Sequence, residues 1–314
     1  MNKEISVIGA GYWGKNYLKV LSQLESLHSI FDFSPEIREQ YNNQYKLKNF
    51  TLEEIFQDED VEGIVIATPM ETHYEIAMQA LNAEKNVLIE KPICSNLAQA
   101  KELHDLALSK NLVLMVGHLM NYHAHFIKLI EIIKKRDLGK LQLIRSKRKS
   151  LGKVRNNENV IWSFAPHDIS MINRILPGKH ENLKVYKTNY FNSICDKATI
   201  SYEKEGVIVE IEVDWTAAKK TQSFELYYEK GIIIFEDSLQ DNNKKLSILD
   251  TKFDYNSLSK KINSNIEYIP VQGLSPLENQ CNSFIQSINT KTNPVTDSKE
   301  AMEVLELLLL TDEF

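Results

Sequence analysis

The chain lacks most of the features that would place it outside the ordinary run of water-soluble globular proteins. Its 314 residues include only three cysteines, Cys94, Cys195 and Cys281. The number is odd and the spacing fits no metal-ligand pattern, so the sequence offers neither a disulfide framework nor a zinc site, and the thiols are expected to be reduced. No apolar run approaches the roughly 20 residues of a membrane span, and the N-terminus enters a strand without the apolar core of a signal peptide. Positive charge is not in excess: 37 Lys and Arg against 43 Asp and Glu give a net charge of -6. Nucleic-acid binding therefore has no electrostatic support. The short clusters Lys134-Lys135-Arg136 and Lys147-Arg148-Lys149 read as solvated faces or anion contacts. There is no internal repeat, and one polar low-complexity stretch, residues 237–245, reads as an exposed loop. The protein is expected to be cytoplasmic, with neither membrane nor nucleic acid among its partners.

At 43% apolar and 25% charged residues, the composition is that of a globular protein, and the length suffices for two domains with separate cores. Two periodicities divide the chain. Short apolar runs at 5–8, 29–31, 63–67, 86–89 and 113–117 alternate with helical patterns at 14–21, 72–82 and 96–110. This alternation predicts a doubly wound parallel sheet, a Rossmann domain over residues 1–119. A linking helix is expected at 126–136. Beyond it, runs at 141–149, 183–192, 198–202, 207–215, 222–228 and 232–235 alternate apolar with polar residues, as one-sided antiparallel strands do. Residues 120–314 are therefore expected to form a second domain on a largely antiparallel sheet. Helices at 276–290 and 299–311 should fold back over a sheet face or the first domain. The fold class is α/β followed by α+β.

The first strand, Glu4 to Ile8, runs into Gly9-Ala10-Gly11-Tyr12-Trp13-Gly14 and then a helix. That is the strand, turn and helix context of a dinucleotide fingerprint. Gly9 permits the tight turn, Gly11 lets a pyrophosphate approach backbone N–H groups, and Gly14 lets the helix pack on the strand. The phosphates would meet unpaired amides and the positive end of a helix dipole, with Tyr12 and Trp13 beside them. The second strand ends in Asp32, at about the 20-residue offset where an acidic side chain accepts from ribose hydroxyls. A carboxylate there repels a 2′-phosphate, so NAD is expected over NADP; Ser34 and Arg38 nearby could soften the preference.

Glu90-Lys91-Pro92 follows the fourth strand, at the carboxyl edge where ligands bind in an open α/β sheet. An ammonium there, beside a positively charged nicotinamide and partly desolvated, has its charged form disfavoured and becomes a candidate general base or acid. A surface lysine ahead of a helix-starting proline is the plainer reading. Glu90 could orient Lys91, pair with it, or make a structural salt bridge. His118, after Gly117, also ends a strand and faces the same crevice. His167 sits where residues 162–166 lead into a helix, where an imidazole could exchange a proton with a reacting hydroxyl; a cap or core-rim residue is the alternative. Asp168 could cap that helix, and Thr72 could cap the one after Thr68 and Pro69. His28, His104, His123, His125 and His180 show no carboxylate or cysteine at ligand spacing, so no metal is assigned. For an anionic ligand the candidates are Tyr122, Arg148, Arg155, Asn159 and Lys220, since guanidinium forks and ammonium groups suit a diphosphate.

These motifs, together with Ala67-Thr68-Pro69 and His73, Gly117-His118 and Pro166-His167-Asp168, resemble the glucose–fructose oxidoreductase, inositol dehydrogenase and MocA family over nearly the whole chain. Tyr122, Arg148 with Gly152 and Arg155, residues 162–168, Trp215 with Lys220, and Ser275-Pro276-Leu277 look like the branch acting on nucleotide-linked sugars. The resemblance implies that Thr68, Pro69, His73, Glu90, Lys91, Pro92 and His118 line the cofactor, that Lys91 and His167 are catalytic, and that the Lys91–Pro92 peptide is cis. Within the branch the best match is to enzymes that oxidise the C3 hydroxyl of UDP-N-acetylglucosamine for lipid A or O-antigen. An NADPH-dependent 3-ketoreductase of a dTDP-deoxysugar and a non-catalytic dinucleotide sensor are the alternatives. A homodimer or homotetramer is implied as well. The chain departs from the family at Ser163, where many relatives carry an Asp four residues before the histidine. Serine holds no charge, so Lys91 and His167 should carry more of the proton transfer.

Overall fold

In the computed structural model, residues 4–152, 154, 158–191, 194–253 and 262–314 are described. They divide into two compact units, Met1–Tyr122 with Ser275–Glu306, and His123–Leu274 with Leu307–Phe314.

The first unit is built on five parallel strands, β1 (Ile5–Ile8), β2 (Leu27–Phe31), β3 (Gly63–Ile66), β4 (Asn86–Ile89) and β5 (Leu114–Val116), in the order β2-β1-β3-β4-β5. β1 and β3 are buried at every position, as continuous apolar runs must be when both faces of a parallel sheet are covered. The connecting helices are α1 (Gly14–Gln23), α2 (Pro35–Tyr45), α3 (Leu52–Gln57), α4 (His73–Asn82) and α5 (Leu97–Ser109). α2 and α3 have little apolar periodicity to announce them; Asn42 is the buried residue of α2 and Ile55 that of α3. Their starts are set by caps: Ser34 accepts from the Ile37 N–H ahead of Pro35, and Thr51 with Glu54 closes a capping box. The strand order reverses between β1 and β3, which makes their carboxyl ends the switch point where a ligand crevice opens.

The expected boundary lies at 119/120, with the last two helices folding back. The first unit extends to Tyr122, and α8 (Pro276–Thr290) with the start of α9 (Ser298–Asp312) returns to it. The cause is an apolar stripe on α8, Leu277, Cys281, Phe284 and Ile288, which joins the core formed by Ile5, Val7, Leu18, Leu21, Val65, Leu88 and Met115. Burial also pushes the Cys281 thiol well above its ordinary range, so this cysteine is a packing residue.

The second unit carries helix α6 (Ala124–Lys135) and strands β6 (Leu141–Leu151), β7 (His180–Thr188), β8 (Lys197–Lys204), β9 (Val207–Asp214), β10 (Thr216–Tyr228), β11 (Gly231–Glu236), β12 (Leu246–Phe253) and β13 (Ile262–Tyr268). They form one sheet in the order β13-β12-β11-β10-β6-β9-β8-β7. Its strand pairs are antiparallel except β6 with β9. β12 and β13 extend the sheet beyond the six strands legible in the sequence. Helix α7 (Val160–Ile175) packs on β6, β8 and β9. It begins about two turns earlier than expected, which corrects the reading of Asp168 as its cap. Val160, Ile161, Ala165, Ile169 and Ile172 are buried at helical spacing, and that stripe outweighs Pro166 inside the helix, where the ring removes one N–H from the ladder. No helix among the described residues is long and apolar enough to cross a membrane.

Candidate active site

In the first unit the three glycines of the turn have three different neighbourhoods. Gly9 has φ +91°, and a Cβ there would stand 2.8 Å from the backbone of Ala67 and Thr68; the close approach of β1 and β3 at the switch point requires glycine. A Cβ on Gly14 would come within 1.9 Å of the Gly9 carbonyl oxygen, whereas one on Gly11 would meet nothing within 4 Å. The open space is thus at Gly11, at the N-terminus of α1, where a pyrophosphate would approach the amides. Tyr12 is strongly exposed beside it and Trp13 partly so. The residues present fit a dinucleotide.

Asp32 closes this turn. Its Oδ2 accepts from the Ala10 N–H at 2.7 Å and its Oδ1 from the Ser34 N–H at 2.9 Å. Each oxygen retains a second acceptor site for a ribose hydroxyl. The Ser34 hydroxyl donates to Glu36 at 2.6 Å, and the Arg38 guanidinium lies over the Phe31 ring, a contact that leaves its N–H donors to meet an anion.

Glu90 is a junction. Its Oε1 accepts from the Trp13 indole N–H at 2.5 Å and the Tyr17 hydroxyl at 2.6 Å, and its Oε2 accepts from the Lys91 N–H at 3.1 Å. Burial and then the Glu90 charge push the Tyr17 phenol well above its ordinary value, so it stays a donor. A Cβ on Gly117 would stand 3.0 Å from the Glu90 carboxylate, so the bare glycine at the end of β5 makes room for it. The Glu90 carboxylate thus ties α1 to the backbone at Lys91. The Lys91–Pro92 bond is cis.

At the end of β3, Thr72 Oγ1 lies 2.7 Å from Thr68 Oγ1 and 2.8 Å from the Pro69 carbonyl oxygen. It makes no side-chain cap to α4, contrary to expectation, because the hydroxyl is turned back onto the Thr68–Pro69 turn. His73 is buried, with Nε2 2.9 Å from the Thr68 carbonyl oxygen and Nδ1 2.9 Å from that of Pro92. It clamps the β3 turn to the β4 turn, and burial lowers its imidazole from the ordinary value against the pull of the two carbonyls. His118 Nδ1 lies 2.6 Å from Glu300 Oε2. Tyr122, expected at the substrate, is buried in the core of the first unit, its hydroxyl 3.0 Å from Thr296 Oγ1.

In the second unit, Arg148 is buried and donates from Nε to Asp168 Oδ2 at 2.8 Å and from NH2 to Asp168 Oδ1 at 3.1 Å; Ser146 Oγ donates to the same Oδ1 at 2.7 Å. The fork expected to hold an anion holds the carboxylate next to His167. Asn159 caps α7, accepting from the N–H groups of Ile161 and Trp162. Ser163 and His167 lie one turn apart on α7, the serine buried and the histidine half-buried. Lys220 is exposed on β10, and the Trp215 indole is buried against Asp196 at 2.6 Å. Arg155 lies outside the described residues.

Long-range pairing hid several partners. His28 Nε2 lies 3.6 Å from Asp58 Oδ2, and with Asp60 these are the described residues whose ligand atoms could converge on a metal ion. The Lys85 ammonium donates to the Asp58 backbone carbonyl at 2.7 Å. His123 Nε2 meets Asp237 at 3.3 Å, and Lys245 meets the same carboxylate at 2.8 Å. Burial works to raise the Asp237 carboxyl, but those two contacts outweigh it and hold it well below the usual range.

Residues 3–118 match the model of an oxidoreductase family with an NAD-binding Rossmann fold. The UDP-N-acetylglucosamine 3-dehydrogenase of Acidithiobacillus ferrooxidans is 26% identical over 166 residues, 52% of this chain and 51% of that protein. Across four curated relatives the matched segments span 24% to 51% of the relatives' own length. The solved structure of the Acidithiobacillus UDP-N-acetylglucosamine 3-dehydrogenase superposes with TM-score 0.87 at 18% identity, covering 99% of this chain and 97% of that one. A mutant of KijD10, a 3-ketoreductase from Actinomadura kijaniata solved with TDP-benzene and NADP, has TM-score 0.82 at 14% identity, covering 100% and 98%. At these identities the structures establish a shared fold.

Proposed function

With residues 3–118 belonging to the NAD-binding Rossmann oxidoreductases, we propose that this chain is an NAD-dependent dehydrogenase that oxidises the C3 hydroxyl of a nucleotide-linked hexose, with UDP-N-acetylglucosamine the first candidate. The observation that carries the reading is the Glu90 junction. One carboxylate links the helix that begins at the fingerprint turn to the backbone at Lys91, so the dinucleotide-binding turn and the proton-transfer lysine share one support. The sugar-nucleotide assignment draws on the Acidithiobacillus 3-dehydrogenase, which is similar in sequence over half its length and in fold over nearly all of it.

The nicotinamide supplies the hydride acceptor when bound. Gly11 and the N-terminus of α1 hold its pyrophosphate, Asp32 its adenosine ribose, and Thr68 and Pro69 line the far ribose. Lys91 or His167 would take the proton of the sugar hydroxyl, and Ser163, one turn from the imidazole, adds no charge beside it. Lys220 is the candidate for the diphosphate among the described residues, since Arg148 is committed to Asp168 and Asn159 to its helix end. Asp32 favours NAD over NADP, a preference that Arg38 nearby would soften. We assign the protein to the cytoplasm and to surface-glycan assembly. It would act as a homodimer or homotetramer through the face of the eight-stranded sheet turned away from α7, where Leu143, Ile208 and Tyr227 share a row.

The test is turnover on a panel of UDP- and dTDP-sugars with each cofactor, beside mass spectrometry of the dinucleotide that copurifies. Oxidation of a UDP-N-acetyl sugar with NAD supports the reading. Reduction of a 3-keto deoxysugar nucleotide with NADPH would replace it by the reductase alternative, and tight NAD(H) binding without turnover would replace it by a sensor.

A further inference from the structure

We propose that His118, oriented by Glu300, is a further proton-handling group of this site, receiving the proton that Lys91 takes from the oxidised hydroxyl. The inference rests on the dehydrogenase reading above and extends it to a pair of residues 182 positions apart in the chain.

Register places the two groups together. β4 and β5 pair in parallel with Ile89 opposite Val116, and the ladder continues through the Gly117 N–H to the Ile89 carbonyl at 2.8 Å. One step on, Glu90 lies against Gly117. Lys91 and His118 are the next residues past these two strand ends, the His118 N–H turning back to the Val116 carbonyl at 2.7 Å. Both therefore stand at the carboxyl edge of the sheet.

The scaffold fixes the imidazole. The segment before α9 is sewn to β5: the Val116 N–H donates to the Thr296 carbonyl at 2.8 Å, and Thr296 Oγ1 donates to the Val116 carbonyl at 2.7 Å. The Glu300 N–H then donates to Asp297 Oδ1 at 2.9 Å, which sets the first turn of α9 and brings Glu300 Oε2 to 2.6 Å from His118 Nδ1. An ionised carboxylate is an acceptor only, so Nδ1 must carry the hydrogen and Nε2 holds the lone pair. Glu300 Oε1 is buried with no partner among the described residues, which leaves this carboxylate with His118 as its donor.

The step balances. The alcohol loses a hydride to the cofactor and a proton to neutral Lys91 Nζ. The lysine then passes that proton, directly or through one water, to His118 Nε2, and the resulting imidazolium faces Glu300 until it releases the proton to solvent. Glu300 touches neither substrate nor cofactor and is a positioning residue.

The experiment uses the full chain labelled with 15N-histidine and saturated with NAD+. Nitrogen NMR should show His118 as the Nδ1–H tautomer, should show that bias lost in Glu300→Ala, and should show it kept in Glu300→Gln, whose amide oxygen still accepts. With UDP-N-acetylglucosamine, His118→Ala should lower kcat about tenfold or more with the KM of NAD+ nearly unchanged, and imidazole in the buffer should restore the rate. An Nε2–H tautomer in the parent protein, or a folded, NADH-binding His118→Ala variant that turns over normally or gains nothing from imidazole, would overturn the proposal. If the parent oxidises no sugar nucleotide, the dehydrogenase reading fails, while the tautomer still decides the pair.

Discussion

The two units place their charged side chains in opposite ways. In the first, Asp32, Glu90 and Lys91 sit at strand ends where backbone geometry leaves a crevice, and glycines on either side are held bare by near contacts. In the second, the most prominent cation, Arg148, is sealed under the sheet in a bidentate pair with Asp168. Among the strand-end charges Glu90 joins α1 to the backbone at Lys91, whereas Arg148, in the middle of a strand and facing a helix, joins that strand to the helix. The second unit's readiness for a ligand therefore depends on His167, half-buried, and Lys220, exposed.

The largest effect should come from breaking the buried pair. Arg148→Met leaves Asp168 buried without its partner, and urea unfolding should show a loss of about 3–5 kcal/mol; Lys220→Met should leave stability within about 0.5 kcal/mol. Equal effects would erase the contrast between the buried pair and the exposed lysine. Next in size, Lys91→Met should cut kcat about 10²-fold or more with NAD(H) affinity intact. Near-normal turnover would return Lys91 to the surface. Titration of the two dinucleotides should give NAD(H) at least about tenfold tighter than NADP(H), near 1.4 kcal/mol, a gap that Asp32→Ser should close. Ser163→Ala should cost only a hydrogen bond, about 0.5–1.5 kcal/mol on kcat/KM; a loss as large as that of Lys91→Met would make Ser163 part of the machinery.

Acid should separate the units by the sign and position of their linkage. His73 has its folded value lowered, so the unfolded chain binds the extra proton first, and the first unit loses stability as pH falls below about 6.5. Asp237, a carboxylate whose folded value is depressed, stabilises the second unit above about pH 4 and withdraws that support as pH falls further. Hydrogen exchange should therefore loosen α4 at a higher pH than α6 and β11, and the reverse order would contradict both assignments.

The dinucleotide half was legible because its signals are local. A glycine that must turn, a glycine that must stay open and an acid after the next strand lie within 24 residues, from Gly9 to Asp32; the structure gives Gly9 a positive φ and Gly11 open space. What stayed hidden was long-range. Nothing near His118 announces Glu300, and nothing in Lys147-Arg148-Lys149 distinguishes the residue facing Asp168 from its two neighbours on the other face. Asn159 read as a ligand group because the helix was expected only after residue 166, whereas it caps a helix that begins at Val160. The buried stripe from Val160 to Ile172 is what carries the helix through.

The central claim is that the Lys91 edge oxidises a sugar held as a nucleotide. It is tested most directly by incubating the protein with UDP-N-acetylglucosamine and NAD+ and following NADH absorbance together with the mass of the sugar nucleotide. The account predicts NADH formed in step with a product lighter by two hydrogens, abolished in Lys91→Met. Bound NAD+ with no NADH formed from any UDP- or dTDP-sugar would contradict it.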